Sequence, residues 1–253
     1  MRLTHAAALR TAGRRIAADR ASRTSFRRAL RGDESTEPLP VSIRQLGGGE
    51  VWLRPGTTDT VVAMAAFAAG RELPPEGMEP SLIWDLGCNI GLTMRRMGHL
   101  FPQARIVGVE LDAENAALAR RNLQPLATHC EVIEAAVWPV SGQVSYAREG
   151  GADAYRVSGS GGIAVETVTP EQMLERHGVP DYVKVDIEGA EQALLEAAAG
   201  WAKQVAAISV ECHPPYSLWE CRQDLEGLGF VVSEFPRTLR RLNRDYAVGV
   251  RPA

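Results

Sequence analysis

Ile83-Trp84-Asp85-Leu86-Gly87-Cys88-Asn89-Ile90-Gly91 is the stretch on which the fold turns. Its first half is a short apolar run of strand type, its second a turn with glycine at both ends, and a helical pattern begins at Gly91. A strand that breaks into a glycine turn and re-enters a helix is the ligand-binding corner of an open parallel α/β sheet. Gly87 and Gly91 there let a ligand approach the backbone closely.

The chain repeats the rhythm on both sides of this corner. Strands are expected at Leu82 to Leu86, Ile106 to Glu110, Glu131 to Ala135, Tyr182 to Asp186, Val205 to Glu211, Phe230 to Ser233 and Tyr246 to Val250. Helices are expected from Gly91, from Ala113, and over 170–177, 189–199 and 216–227. Alternation of this kind predicts a Rossmann-like fold, a seven-stranded, mostly parallel sheet with helices on both faces. Between Ala136 and Val168 the rhythm lapses into Gly- and Ser-rich sequence, with two inserted antiparallel strands expected at Gln143–Tyr146 and Ile163–Glu166. Upstream, Gly47-Gly48-Gly49 turns into a short strand at Val51-Trp52-Leu53.

The ligand is read from charge. Glu110 ends the second strand a little over twenty residues after Gly87, where an acid in such folds meets ribose hydroxyls. The turn reads D-x-G-x-N-x-G rather than G-x-G-x-x-G and opens on a carboxylate. A pyrophosphate at the helix N-terminus would be repelled by Asp85, whereas S-adenosylmethionine (SAM) brings an ammonium and a sulfonium that a carboxylate favours. Asp85, Gly87, Asn89, Gly91, Glu110 and Leu111 are therefore expected to bind SAM, with Ala136 beside the adenine and Glu134 accepting from its amine. Asp85 and Asn89 are equally suited to capping the helix, and both roles can hold together.

Four blocks, D-L-G-C-N-I-G at 85–91, V-E-L-D-A-E-N at 109–115, A-A-V-W at 135–138 and K-V-D-I-E-G-A-E at 184–191, resemble the FkbM family of methyltransferases, and R-P-G-T-T-D at 54–59 resembles that family's upstream motif. The resemblance spans roughly residues 50–215 and implies a class I methyltransferase fold that O-methylates sugars or other hydroxylated natural products. Cys88, Leu111 and Thr169-Pro170 depart from the family pattern, which touches substrate detail more than cofactor use.

Methyl transfer to a neutral hydroxyl needs the nucleophile aligned with the C–S bond and its proton removed. Asp186 ends the strand beside the first, Glu188 and Glu191 follow it, and Glu211 and His213 end the next strand. Asp186, His213 and Glu188 are the expected catalytic residues, with His213 favoured as general base by its ordinary pKa. Acids in the first turn of the following helix also answer its dipole, a purely structural role for Glu191. Asp186 and Glu211 form a candidate Mg2+ or Mn2+ site. Asp59, with Arg54, is placed at the cofactor's amino-acid end or the substrate, a turn-forming role being equally open.

The 253 residues are 45% hydrophobic and 23% charged, globular values, and no run approaches the roughly 18 apolar residues of a membrane span. The four cysteines form no C-x-x-C pair and sit in apolar runs, which suits a reducing cytoplasm. Net charge is −3, yet residues 1–31 hold nine arginines against Asp19 alone. Residues 1–40 are read as an Arg-rich helical extension and linker, and 41–253 as the transferase domain. The extension is expected to pack as an amphipathic helix through Ala7, Leu9, Ile16 and Phe26, on the domain or in a homodimer. The expected partner is a small hydroxylated acceptor. His213-Pro214-Pro215-Tyr216 suggests instead an amino-methyltransferase on nucleic acid or protein, but the turn follows the wrong strand and His lacks the side-chain carbonyl an amine needs. A non-catalytic SAM-binding module is the other alternative, disfavoured by the cluster of acids at the strand ends.

Overall fold

The structure, a computed structural model, describes residues 13–32, 37–70, 72–148, 155–158, 162–234 and 245–252. No helix among them is long and apolar enough to cross a membrane.

The N-terminal unit begins with α1 (Arg20–Arg31), capped by Asp19, whose carboxylate accepts from Ser22 N at 2.7 Å. One face of α1 buries Ser22, Phe26 and Ala29, while Arg20, Arg27, Arg28 and Arg31 point outward. It packs on a hairpin of β1 (Leu39–Ser42) and β2 (Glu50–Leu53), followed by α2 (Asp59–Met64). Phe26 and Ile16 share one apolar cluster with Val41, Ile43, Val51, Leu53, Leu92 and Leu118, so the segment is fastened to the main fold. Burying Phe26 alone contributes roughly 1.5–3 kcal/mol. Leu39 and Pro40, read as linker from sequence, pair with Leu53 and Trp52. Ala7 and Leu9 lie outside the described residues.

The core sheet follows the expected alternation: β3 (Leu82–Leu86), α3 (Leu92–Leu100), β4 (Arg105–Glu110), α4 (Ala113–Leu123) and β5 (Cys130–Glu134). A four-stranded arm then intervenes, made of β6 (Ala136–Val137), β7 (Gln143–Arg148), β8 (Tyr155–Ser158) and β9 (Ile163–Val168). The expected antiparallel pair is β7 with β9, and β8 extends it on the other edge of β7. The chain returns through α5 (Pro170–His177), β10 (Tyr182–Val185), α6 (Glu191–Glu196), β11 (Ala207–Cys212), α7 (Leu218–Gly227), β12 (Val231–Glu234) and β13 (Asp245–Val250). Thr169 starts α5 with a reciprocal capping box to Gln172, a local reason for the Thr-Pro departure from the family pattern.

Strand order is β12-β13-β11-β10-β3-β4-β5, with only β13 antiparallel to its neighbours. From β3 the chain winds outward through β4 and β5, then reverses to β10 and β11 on the opposite side. That reversal leaves a crevice at the C-terminal ends of β3 and β10, the topological switch point where such sheets bind ligands.

Side-chain alternation gives the sheet two unlike faces. Trp84, Leu86, Val183, Val185, Ile208 and Val210 belong to the main apolar cluster with Met173, Leu194 and Leu225 from the helices. The other face begins with Ile83, Tyr182 and Ala207 against Met94 and Met97, then becomes polar toward the crevice. Asp85, Lys184 and Ser209 stand there in register on three adjacent strands, all buried.

Candidate active site

The glycine turn is held by backbone bonds from Gly87 N and Cys88 N to Val109 O, both 2.9 Å, and from Gly91 N to Cys88 O at 2.8 Å. Gly87 has φ +84°, and a β-carbon there would fall 1.7 Å from Asp186 O, so no side chain fits. Asn89 takes φ +50°, a left-handed conformation that asparagine tolerates, and its side chain accepts from Ile90 N at 2.7 Å. The turn borders an open cleft lined by Gly87, Asn89, Glu110, Leu111, Asp186 and Glu188, with Ala135, Ala136 and Val137 also in its lining.

Glu110 sits at the cleft floor. Its two oxygens accept from Asn89 N at 2.8 Å and Asp112 N at 2.9 Å, tying the loops after β3 and β4 together. Burial pushes its carboxyl up to about 7 against the pull of those bonds. Glu134 does not join it: on the edge strand it is exposed and paired with Arg120 at 3.3 Å, away from the cleft lining. Asp59 is likewise absent from the lining. It is buried and clamped to Arg54 through Nε at 3.0 Å and Nη2 at 2.8 Å.

Asp85 also departs from the expectation that it faces the cofactor. It is fully buried beneath the turn, where Lys184 Nζ donates to its Oδ1 and to Gly87 O, both at 3.0 Å. Oδ2 has no hydrogen-bond partner among the described residues. Burial pushes the Asp85 carboxyl up to about 6 despite Lys184. Lys184 loses hydration too, yet Asp85 and Asp186 raise its pKa and keep it cationic. Lys184 thus props the turn from below, a role that sequence did not reveal. Glu72 was missed as well. From an irregular segment it accepts from Thr93 Oγ1 at 2.5 Å and lies 3.1 Å from the Tyr246 hydroxyl, whose one proton goes to the nearer Glu211.

Across the cleft, Asp186 Oδ2 lies 3.5 Å from Lys184 Nζ. His213 Nδ1 meets buried Glu191 Oε1 at 2.8 Å, which aims Nε2 at Glu188 (3.3 Å), Glu211 (3.7 Å) and Asp186 (3.8 Å). Glu191 additionally accepts from Ile187 N at 3.1 Å and Gly189 N at 2.9 Å, pinning the loop that carries Glu188. Glu188 has φ +54°, a strained conformation for a residue with a β-carbon, at the cleft itself. Partial burial works against charge on His213, but the Glu191 bond and the surrounding carboxylates prevail and lift it to about 9. His213 is therefore an imidazolium at neutral pH, and the expected general-base role does not fit it. Tyr216 is buried with its hydroxyl on Asp224 at 2.5 Å, so its ring is not presented for stacking on a base.

The sequence matches the methyltransferase FkbM domain family over residues 85–246. No functionally curated relative matches it. Among solved structures, the methyltransferase FkbM from Methylobacillus flagellatus KT superposes with a TM-score of 0.53 at 12% identity, covering 96% of this chain and 58% of that one. Precorrin-6y C5,15-methyltransferase from Geobacter metallireducens GS-15 gives 0.47 at 14% identity, covering 76% and 87%. The chain thus spans less than two thirds of the Methylobacillus protein's length, and likeness at such identity speaks of fold alone. The switch-point crevice and this arrangement of strands are those of a class I, Rossmann-like methyltransferase. With the family match spanning well over half its length, the chain belongs to the FkbM methyltransferase family.

Proposed function

We propose that the protein is a SAM-dependent O-methyltransferase acting on a hydroxyl of a small molecule, a sugar or natural-product intermediate, with residues 41–253 as the transferase domain. One observation carries the reading: a single cleft joins the glycine turn and Glu110 to Asp186 and Glu188. The cradle suits the cofactor, because the backbone of Gly87 and the carboxylate of Glu110 both reach the cleft lining.

When bound, SAM supplies an electrophilic methyl group on a sulfonium. Glu110 would accept from its ribose hydroxyls, and Leu111 with Ala135 to Val137 would enclose its adenine. Asp186, between cradle and rim, would take up the proton that the acceptor's hydroxyl gives up on methylation. Lys184 Nζ at 3.5 Å and His213 Nε2 at 3.8 Å hold the Asp186 carboxylate in place. Glu188 receives a second acceptor hydroxyl and fixes its orientation.

The test is calorimetric and kinetic. S-adenosylhomocysteine should bind and NAD should not, with Glu110→Ala weakening the affinity about tenfold or more. Asp186→Asn should keep that affinity and lower methyl transfer about 100-fold or more. NAD binding, or near-normal turnover in Asp186→Asn, would refute the assignment.

A second reading of the rim has one observation in its favour: ligand atoms of Asp186, Glu211 and His213 lie within 4.8 Å of one another. A divalent cation such as Mg2+ there would replace the His213 proton and acidify the acceptor hydroxyl. Loss of turnover on chelation with recovery on Mg2+ favours this reading, and full activity after chelation removes it.

A further inference from the structure

Charge in this chain is divided by position. Residues 1–31 hold nine arginines and one acid, a formal charge of +8, which leaves −11 for the remainder. The structure sorts α1 into two faces. Ser22, Phe26 and Ala29 are buried against the hairpin, while Arg20, Thr24, Arg27 and Arg31 fall on the opposite side at i, i+4, i+7 and i+11, all exposed. Arg20 to Arg31 spans about 16 Å along the helix axis, so the three guanidinium groups make one straight stripe. Arg14 and Arg15 add two more exposed arginines just upstream.

None of these five has an acidic partner among the described residues. α1 itself contains no acid, and Asp19 at its N-cap is engaged with Ser22 N. Helix formation does not call for the arginines, because glutamine or glutamate serves an exposed helical position as well. Arg20 even opens the first turn, where the helix dipole favours an acid. Packing explains Phe26 and Ala29; a row of unpaired cations facing outward is explained by an extended anion outside the chain.

The face selects among such anions. It offers no aromatic ring to stack on a base and no amide side chain to meet a base edge, the features by which nucleic acids are read. The apolar residues of α1 are already buried in the domain, so the helix stays folded there and only its charges reach outward. A straight row of guanidinium groups meets a plane of phosphate headgroups all at once.

We infer that the outward face of α1 is a docking surface for an anionic phospholipid bilayer, whose headgroup phosphates are engaged by Arg20, Arg27 and Arg31. The attachment is electrostatic and reversible, and it is independent of what the cleft binds.

The deciding experiment sediments the full chain with vesicles of phosphatidylcholine alone and of phosphatidylcholine with phosphatidylglycerol. Binding is expected only to the anionic vesicles and should vanish in high salt. The triple variant Arg20→Gln, Arg27→Gln, Arg31→Gln should lower the partition coefficient about 100-fold, and each single substitution about fivefold. A charge-matched control, Arg120→Gln, Arg176→Gln, Arg222→Gln, removes three exposed arginines of the main domain and should stay within about threefold of the unaltered chain. The single substitutions decide the matter should the triple variant melt early. Absence of binding to anionic vesicles, or equal losses in the stripe and control variants, would overturn the inference. Random-sequence duplex DNA held as tightly as the anionic vesicles, with the same dependence on the stripe, would overturn it in favour of a nucleic acid.

Discussion

The two faces of the central sheet are made by the same strands and behave in opposite ways. On one, Trp84, Val183, Val185, Ile208 and Val210 stay apolar from end to end and meet α5, α6 and α7. On the other, Ile83, Tyr182 and Ala207 give way toward the crevice to Asp85, Lys184 and Glu211, closed over by Glu72 and Tyr246. A buried carboxylate is costly unless a cation answers it, so the second face gives up stability that the first supplies. The polar half lies only where the ligand cleft opens above it, which ties its cost to the site.

Cutting into each face should separate two kinds of failure. Lys184→Met leaves Asp85 buried without its cation and frees Gly87 O, so a loss of about 3–5 kcal/mol in denaturant titrations is expected, together with collapse of cofactor affinity. Leu194→Ala, on the apolar face, should cost about 2–5 kcal/mol but leave affinity and turnover of the folded fraction intact. Equal functional damage from both would dissolve the distinction between the faces.

A smaller effect concerns pH. Folding raises the His213 pKa from 6.5 to about 9, so the stability it contributes is complete below about 6.5 and is lost as pH rises through 9. The loss is at most about 3 kcal/mol. The difference in unfolding free energy between the native protein and His213→Gln should shrink across that window; a constant difference would mean that the carboxylates around it do not hold the proton.

Much of this was legible in the sequence because it is periodic or local. Strand alternation, the glycine turn, Glu110 at its distance from Gly87 and the run from Asp186 to Glu191 all lie within short windows. What escaped depends on partners remote in the chain. Asp85 reads as a ligand-facing acid until Lys184, 99 residues away, is seen beneath it. His213 has an ordinary pKa in isolation, and four carboxylates, three of them from the remote run 186–191, change that. Glu134 stands in register with Glu110 but on an edge strand, where solvent and Arg120 claim it. Glu72 had no signal, since nothing in its irregular segment marks it as buried.

The contact between Gly87 and Asp186 has a consequence for how such a protein can diversify. The wall between the glycine turn and the loop that carries Asp186 is a single backbone thickness, with a β-carbon-to-oxygen separation of 1.7 Å if a side chain were added at Gly87. Neither loop can be reshaped at this contact without displacing the other. If the proposed function holds, variation in the acceptor is expected at the margins, in the β6–β9 arm and in the stretch from His213 to Trp219. A laboratory library aimed at new acceptors would do best to leave residues 85–91 and 184–191 untouched and to mutate those two margins instead.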